Sequence, residues 1–254
     1  MSEVLMGHDD PVGEPGEQGN MSMQRRDFKA VVLLSGGIDS TTCLAKAVEI
    51  YGAEDVLALT VLYGQKHFKE VNNAIAVATH YGVKHIIKEL NGVFDLATDN
   101  PLLVGGKDIV HESYAAQLAK KTGTVDTYVP FRNGLLLSYA TAIAYSVGAT
   151  LIVYGAHADD AAGRAYPDCT TEFYSAMNAA IKYGTGGKVR LYAPLIHWNK
   201  AAVVEEGLKL GAPYELTWSC YEGGEEACGT CGTCLDRQAA FIANGRVDPI
   251  KYKA

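Results

Sequence analysis

From Lys29 onward, short apolar runs alternate with segments of helical spacing, and this alternation limits the fold more than any other feature. Ala30-Val31-Val32-Leu33-Leu34 has the length and β-branched content of a strand buried on both faces of a parallel sheet. Ser40 to Tyr51 follows with Leu44, Val48 and Tyr51 on one helical face, and Gly52 stops it. Val56 to Leu62 reads as a second strand, His67 to Tyr81 as a helix with Val71, Ile75 and Ala78 in register, and His85 to Leu90 as a third strand. Residues 91–125 break the rhythm and read as a loop or small helical insertion at the sheet's edge. The pattern resumes with a helix over Gly134 to Tyr145 and a strand over Thr150 to Tyr154. Further helices are predicted over Thr170 to Lys182 (Phe173, Met177 and Ile181 in register), Lys200 to Leu210 and Cys234 to Ala243, with a strand after Val189. The prediction is an α/β fold: a doubly wound, mostly parallel sheet with right-handed crossovers.

Composition narrows the class. With 48% hydrophobic and 20% charged residues, the chain is not disordered throughout. Its net charge of −7 disfavours a nucleic-acid partner. No apolar run reaches membrane-spanning length, so no membrane partner is expected. Residues 1–27 are acidic, rich in Gly and Pro, and lack the pattern of a secretory signal; they read as a disordered tail. Residues 28–254 then form one α/β domain that includes a cysteine-bearing segment at 218–241. Six cysteines are too few for a disulfide scaffold and suit a reducing, cytoplasmic setting. Apolar helix faces suggest a homodimer.

Two motifs carry chemistry. Ser35-Gly36-Gly37-Ile38-Asp39-Ser40 lies between a strand's C-terminal end and a helix N-terminus, where α/β sheets hold ligands. Backbone amides, the helix dipole and two hydroxyls suit phosphate oxygens, whereas a bare Gly-Gly would make only a tight turn. No Walker A loop exists: Gly184-Thr185-Gly186-Gly187-Lys188 ends in Val189 and precedes a strand. Without a P-loop lysine, cleavage at the α-phosphate with release of pyrophosphate is the better expectation. The second motif is Cys220, Cys228, Cys231 and Cys234, a C-x7-C-x2-C-x2-C spacing. Four thiolates fit a closed tetrahedral zinc site that folds its loop, with an iron–sulfur cluster as the rival and uncoordinated core cysteines as the plainer reading. Gly229 and Gly232 would let tight turns aim amides at the sulfurs. Cys43 and Cys169 stand apart as ordinary residues.

Leu34-Ser35-Gly36-Gly37-Ile38-Asp39-Ser40-Thr41 resembles the pyrophosphate loop of the ATP pyrophosphatase (PP-loop) superfamily, whose sheet is of the adenine nucleotide alpha-hydrolase type. Taken with the cysteines, the chain resembles the 7-cyano-7-deazaguanine synthases of queuosine biosynthesis from roughly Asp27 to Phe241. Tyr63-Gly64-Gln65-Lys66-His67, Val129-Pro130-Phe131-Arg132-Asn133 and Tyr166-Pro167-Asp168-Cys169 match that family's segments, as do Arg237 and Phe241 after the cysteines. Phe131 stands where glycine is frequent, and Ala162-Gly163-Arg164-Ala165 replaces a common Ser-Gly, two departures that touch loop geometry and substrate.

The resemblance implies an ATP-dependent ligase that turns 7-carboxy-7-deazaguanine and ammonia into a nitrile through adenylated carboxylate and amide, with ATP, Mg²⁺ and one structural Zn²⁺. It places ATP on Leu34, Ser35, Gly36, Gly37, Asp39, Ser40 and Thr41, and the deazaguanine on Arg132, Asn133, Tyr166 and Asp168. Asp39 would organise the loop or hold Mg²⁺, against an ordinary helix N-cap. Lys66 and His67 would contact phosphate or move protons, against solvated helix-entry charges. Arg132 would fork onto the substrate carboxylate, against a structural ion pair. Asp168 would accept from the deazaguanine N–H edge, against a capping role. His157, Asp159 and Asp160 would line the pocket or hold a metal, against plain loop carboxylates. Arg164 would be solvated. The rivals are a PP-loop tRNA-modifying enzyme, a paralogue that stops at the amide or transfers the acyl group, and a non-enzymatic zinc-ribbon module.

Overall fold

The computed structural model describes residues 27–66, 68–120 and 123–253. The predicted tail, apart from Asp27, and His67 lie outside the described residues. In chain order the first elements are β1 (Ala30–Leu33), α1 (Ile38–Tyr51), β2 (Val56–Leu62), α2 (Lys69–Tyr81) and β3 (Lys84–Glu89). Then come α3 (Tyr114–Lys120), α4 (Arg132–Ser146), β4 (Leu151–Val153) and the short α5 (Ala158–Ala161). The last are α6 (Thr171–Gly184), β5 (Arg190–Tyr192), α7 (Lys200–Lys209) and α8 (Gly232–Ala243).

The five strands form one parallel sheet in the order β3-β2-β1-β4-β5. β1 is central because its residues are apolar on both faces: Ala30 and Val32 join the core under α1, α2, α7 and α8, while Val31 joins the one under α4 and α6. The edge strand β3 carries lysines and a glutamate and is half open. The chain runs outward from β1 to β3 and returns to β4 on the other side of β1. That reversal opens a crevice beyond the carboxyl ends of β1, β2 and β4, where doubly wound sheets bind ligands. No described helix is long and apolar enough to cross a membrane.

Three local readings change. α1 and α4 begin two residues earlier than periodicity predicts, which brings Asp39 and Arg132 into first helical turns. On α2, Ile75 is 42% exposed while Ala74 and Val77 are fully covered, so the buried face is rotated from the predicted one. Insertion 91–125 holds α3, and its Leu103 pairs with Gln65, so the segment folds back over the end of β2.

Candidate active site

The glycine turn sits at the crevice, but its two glycines serve different ends. Gly36 has φ +90°, and a Cβ there would stand 2.3 Å from the Glu70 carbonyl oxygen and 2.7 Å from the Ala74 nitrogen. Gly36 is therefore required by the close approach of α2. Gly37 is the N-cap of α1 and lines the cavity; a Cβ on it would meet no atom nearer than 3.6 Å. Hydroxyls brace the turn: Ser35 Oγ and Ser40 Oγ lie 3.0 Å apart, the Ser35 amide donates to Ser40 Oγ, and Ser40 Oγ donates to the Gly37 carbonyl. The first-turn amides of α1 have no intrahelical acceptor, which leaves them for an anion. Gly36→Ala is expected to lose about 1–2 kcal/mol from backbone handedness alone, plus the clash with α2, as a lowered denaturation midpoint would show.

Asp39 is not the N-cap. It lies in the first turn of α1, and its two carboxylate oxygens are 2.7 and 2.6 Å from Lys200 Nζ. His157 Nε2 is 3.7 Å from Asp39, 3.2 Å from Asp160 and 3.4 Å from Lys200 Nζ. Burial alone would raise the Asp39 carboxyl, but the Lys200 and His157 charges hold it below the usual carboxylate range. Gly155, after β4, permits this packing, since a Cβ there would meet Asp39 at 3.0 Å. Asp159 accepts from the Lys200 amide at 2.7 Å and so fixes the start of α7.

On the opposite wall, Phe131 adopts φ 56°, which explains why glycine would serve there. Its amide donates to Tyr128 Oη, and its ring meets Phe173 edge to face. The turn delivers Arg132 and Asn133 to the cavity. Arg132 donates to Tyr63 Oη at 2.9 Å. Asp168 has a capping role: it is buried, accepts from the Asn133 amide at 2.8 Å, and is not among the residues lining the cavity. Tyr166 joins a hydroxyl cluster, 2.6 Å from Thr127 Oγ1 and 3.2 Å from Tyr221 Oη, which in turn lies 2.6 Å from Tyr114 Oη. In the Ala162–Ala165 departure, Gly163 and Arg164 both take positive φ and make a tight turn under Leu118 of α3.

The four cysteines converge. Their ligand atoms all lie within 4.8 Å of one another, and Cys228 and Cys234 sulfurs are 3.9 Å apart. A tetrahedral ion with Zn–S bonds of about 2.3 Å needs sulfurs about 3.8 Å apart, so the donors fit zinc. The Cys228 amide donates to Cys220 Sγ, and the Thr230 and Cys231 amides donate to Cys228 Sγ, as thiolates require. Gly229 has the predicted turn conformation at φ 76°. Gly232 serves packing instead: a Cβ would strike the Tyr114 ring at 2.7 Å. The cluster is no remote appendix. Trp218, Cys220, Tyr221 and Asp236 line the cavity, and the Trp218 amide donates to the Gly36 carbonyl at 2.9 Å.

One cavity of about 280 Å³ thus gathers Leu34, Ser35, Gly37, Asp39, Ser40, Lys66, Arg132, Asn133, Asp160, Tyr166 and Lys200. Gly36 and Thr41 pack behind it, Thr41 fully buried within α1. The profile of the family described as "Queuosine biosynthesis protein QueC" matches residues 29–245, which span the glycine turn, both walls and the cysteines. The chain belongs to the QueC family. It is similar to a 7-cyano-7-deazaguanine synthase of Archaeoglobus fulgidus, 43% identical over 224 residues, 88% of this chain and 90% of the relative. Relatives with the same name from Thermoplasma acidophilum (42% identical; 91% and 94% covered) and Koribacter versatilis (42%; 91% and 97%) match equally broadly.

Within this QueC-family cavity, sequence reasoning missed Lys200, Glu70, Tyr114 and Tyr221. Lys200 reaches Asp39 from 161 positions away, and a lysine opening a helix after an Asn cap carries no mark of function. Tyr221 alone had a signal, its place beside Cys220.

Proposed function

We propose that the chain is an ATP-dependent nitrile synthase that converts 7-carboxy-7-deazaguanine and ammonia to 7-cyano-7-deazaguanine, in the cytoplasm, as a homodimer and without nucleic acid. The observation that carries the reading is the meeting of the glycine turn and the Arg132 guanidinium in one cavity, in a chain of this family. A carboxylate resists ammonia because oxide is a poor leaving group. Adenylation makes the departing group AMP, ammonia gives the amide, and a second adenylation on the amide oxygen allows loss of AMP to leave the nitrile.

The chain's own residues divide the task. The amides of Gly37 and Ser40, with the Ser35 and Ser40 hydroxyls, hold the pyrophosphate portion of ATP. Lys200, fixed by Asp39, opposes negative charge as pyrophosphate leaves. Arg132 forks onto the substrate carboxylate, and Asn133 and Tyr166 shape the deazaguanine end. Lys66 faces the same cavity and suits phosphate; His67 keeps its expected proton or phosphate role as part of this reading. Mg²⁺ would enter with ATP and neutralise phosphate charge. Zinc on Cys220, Cys228, Cys231 and Cys234 would lock the wall formed by Trp218 and Tyr221.

Incubation with ATP, ammonium and 7-carboxy-7-deazaguanine should yield a product with the mass of the nitrile; an amide alone, or no turnover, rejects the reading. Ser35→Ala and Asp39→Ala should each slow pyrophosphate release, and unchanged rates for both would remove the loop assignment. Elemental analysis should find one zinc per chain, with iron or no metal as the contrary result.

A further inference from the structure

Between the glycine turn and Arg132 the cavity wall carries an acidic side chain that the fold does not use. Glu70 lies in the first turn of α2 and lines the cavity. Its main chain is committed, since its carbonyl is the atom against which Gly36 packs. Its carboxylate has no hydrogen-bond partner among the described residues. The groups facing it are Arg132 from α4, Tyr63 from the end of β2 and Cys220 from the cysteine loop, with Lys66 on the same wall. Of the other cavity carboxylates, Asp39 is engaged by Lys200 and Asp160 by His157, and Asp236 stands among Lys200, His157 and Asp160, away from the Arg132 wall. Burial pushes the Glu70 carboxyl up to about 7, although Arg132 pulls it down. A base working near neutral pH needs a conjugate acid in that range.

We infer that Glu70 is the general base that takes a proton from the ammonia nitrogen as it attacks the adenylated carboxyl. The inference rests on the proposed function and deepens it. With Arg132 holding the carboxyl end, the reacting carbon sits on the side of the cavity that Glu70 lines. As the C–N bond forms, the nitrogen carries three hydrogens and a positive charge. One proton passes to the Glu70 carboxylate. The C–O bond to AMP then breaks with its electron pair, giving neutral amide, AMP and protonated Glu70, which returns its proton to solvent.

The test is Glu70→Gln in the full chain, with ammonia and hydroxylamine as alternative nucleophiles. Hydroxylamine is neutral and strongly nucleophilic at neutral pH, so it traps an acyl adenylate with little need of a base. Amide and nitrile formation from ammonia should fall about 10²–10⁴-fold, while the first-turnover release of pyrophosphate and the formation of hydroxamate stay near wild type. Equal losses with both nucleophiles would show a binding or structural role and overturn the inference, as would an unchanged ammonia rate. A wild-type chain that forms neither amide nor nitrile would instead reject the proposed function.

Discussion

Lys200→Met is expected to slow ATP-dependent pyrophosphate release by about 10²–10³-fold, or about 2.7–4 kcal/mol, the usual cost of removing one preorganised charge-stabilising donor. Lys200 opens α7 under two restraints: the Asn199 side chain caps the helix through the Ala202 amide, and Asp159 accepts from the Lys200 amide. Its ammonium contacts both oxygens of Asp39 within the first turn of α1. The cation therefore stands beside the glycine turn with almost no freedom to relocate, so stabilising a leaving pyrophosphate would need little reorganisation. Methionine keeps the stem and removes the charge, so Asp39 would be left partly buried without its main counter-ion. Rapid-quench measurement of pyrophosphate with each variant checks this. A change of only a few-fold would mean that Lys200 serves Asp39 and not the phosphates.

The second large effect concerns stability. Arg237→Met is expected to cost about 3–5 kcal/mol, the usual penalty for breaking a buried ion pair and leaving one charge behind. Arg237 of α8 is fully buried and donates to both oxygens of Asp248, at 2.6 and 2.9 Å. It also donates to Thr217 Oγ1 at 2.8 Å and to the Tyr214 carbonyl at 3.1 Å. These bonds tie the helix behind the cysteines to the segment that enters them. Thermal unfolding should shift downward by roughly 10 °C for a domain of this size. The double variant Arg237→Met with Asp248→Leu should recover much of the loss, because neither charge is then stranded. If the double variant were no more stable than the single one, the packing and not the ion pair would carry the effect.

Much of the architecture is readable because it is written in local pattern. Val31 and Val32 face opposite cores, which is why the first strand is apolar throughout and recognisable without its neighbours. The cysteines announce themselves by spacing, since ligands close in sequence can face one ion. Side chains whose meaning depends on a distant partner are another matter. Asp39 looks like an N-cap until Lys200 is beside it, and no local pattern around Asp168 tells that its carboxylate holds the Asn133 amide. Gly36 and Gly232 are both glycines of a loop in the sequence, but each is dictated by an element packed against it, α2 in one case and the Tyr114 ring in the other. Glu70 has no sequence signal at all; its character comes from burial between walls that meet only in the folded chain.

The hydrogen bond from the Trp218 amide to the Gly36 carbonyl has a bearing on biosynthesis. Chains emerge from the ribosome amino end first, and the early part of a domain can begin to fold before the rest exists. Here the turn at 35–40 is made before all five strands are complete, while Trp218, the partner that braces it, follows the last of them. The cavity is thus completed only after Trp218 has been made, and a product interrupted between β5 and Trp218 carries the sheet without a finished site.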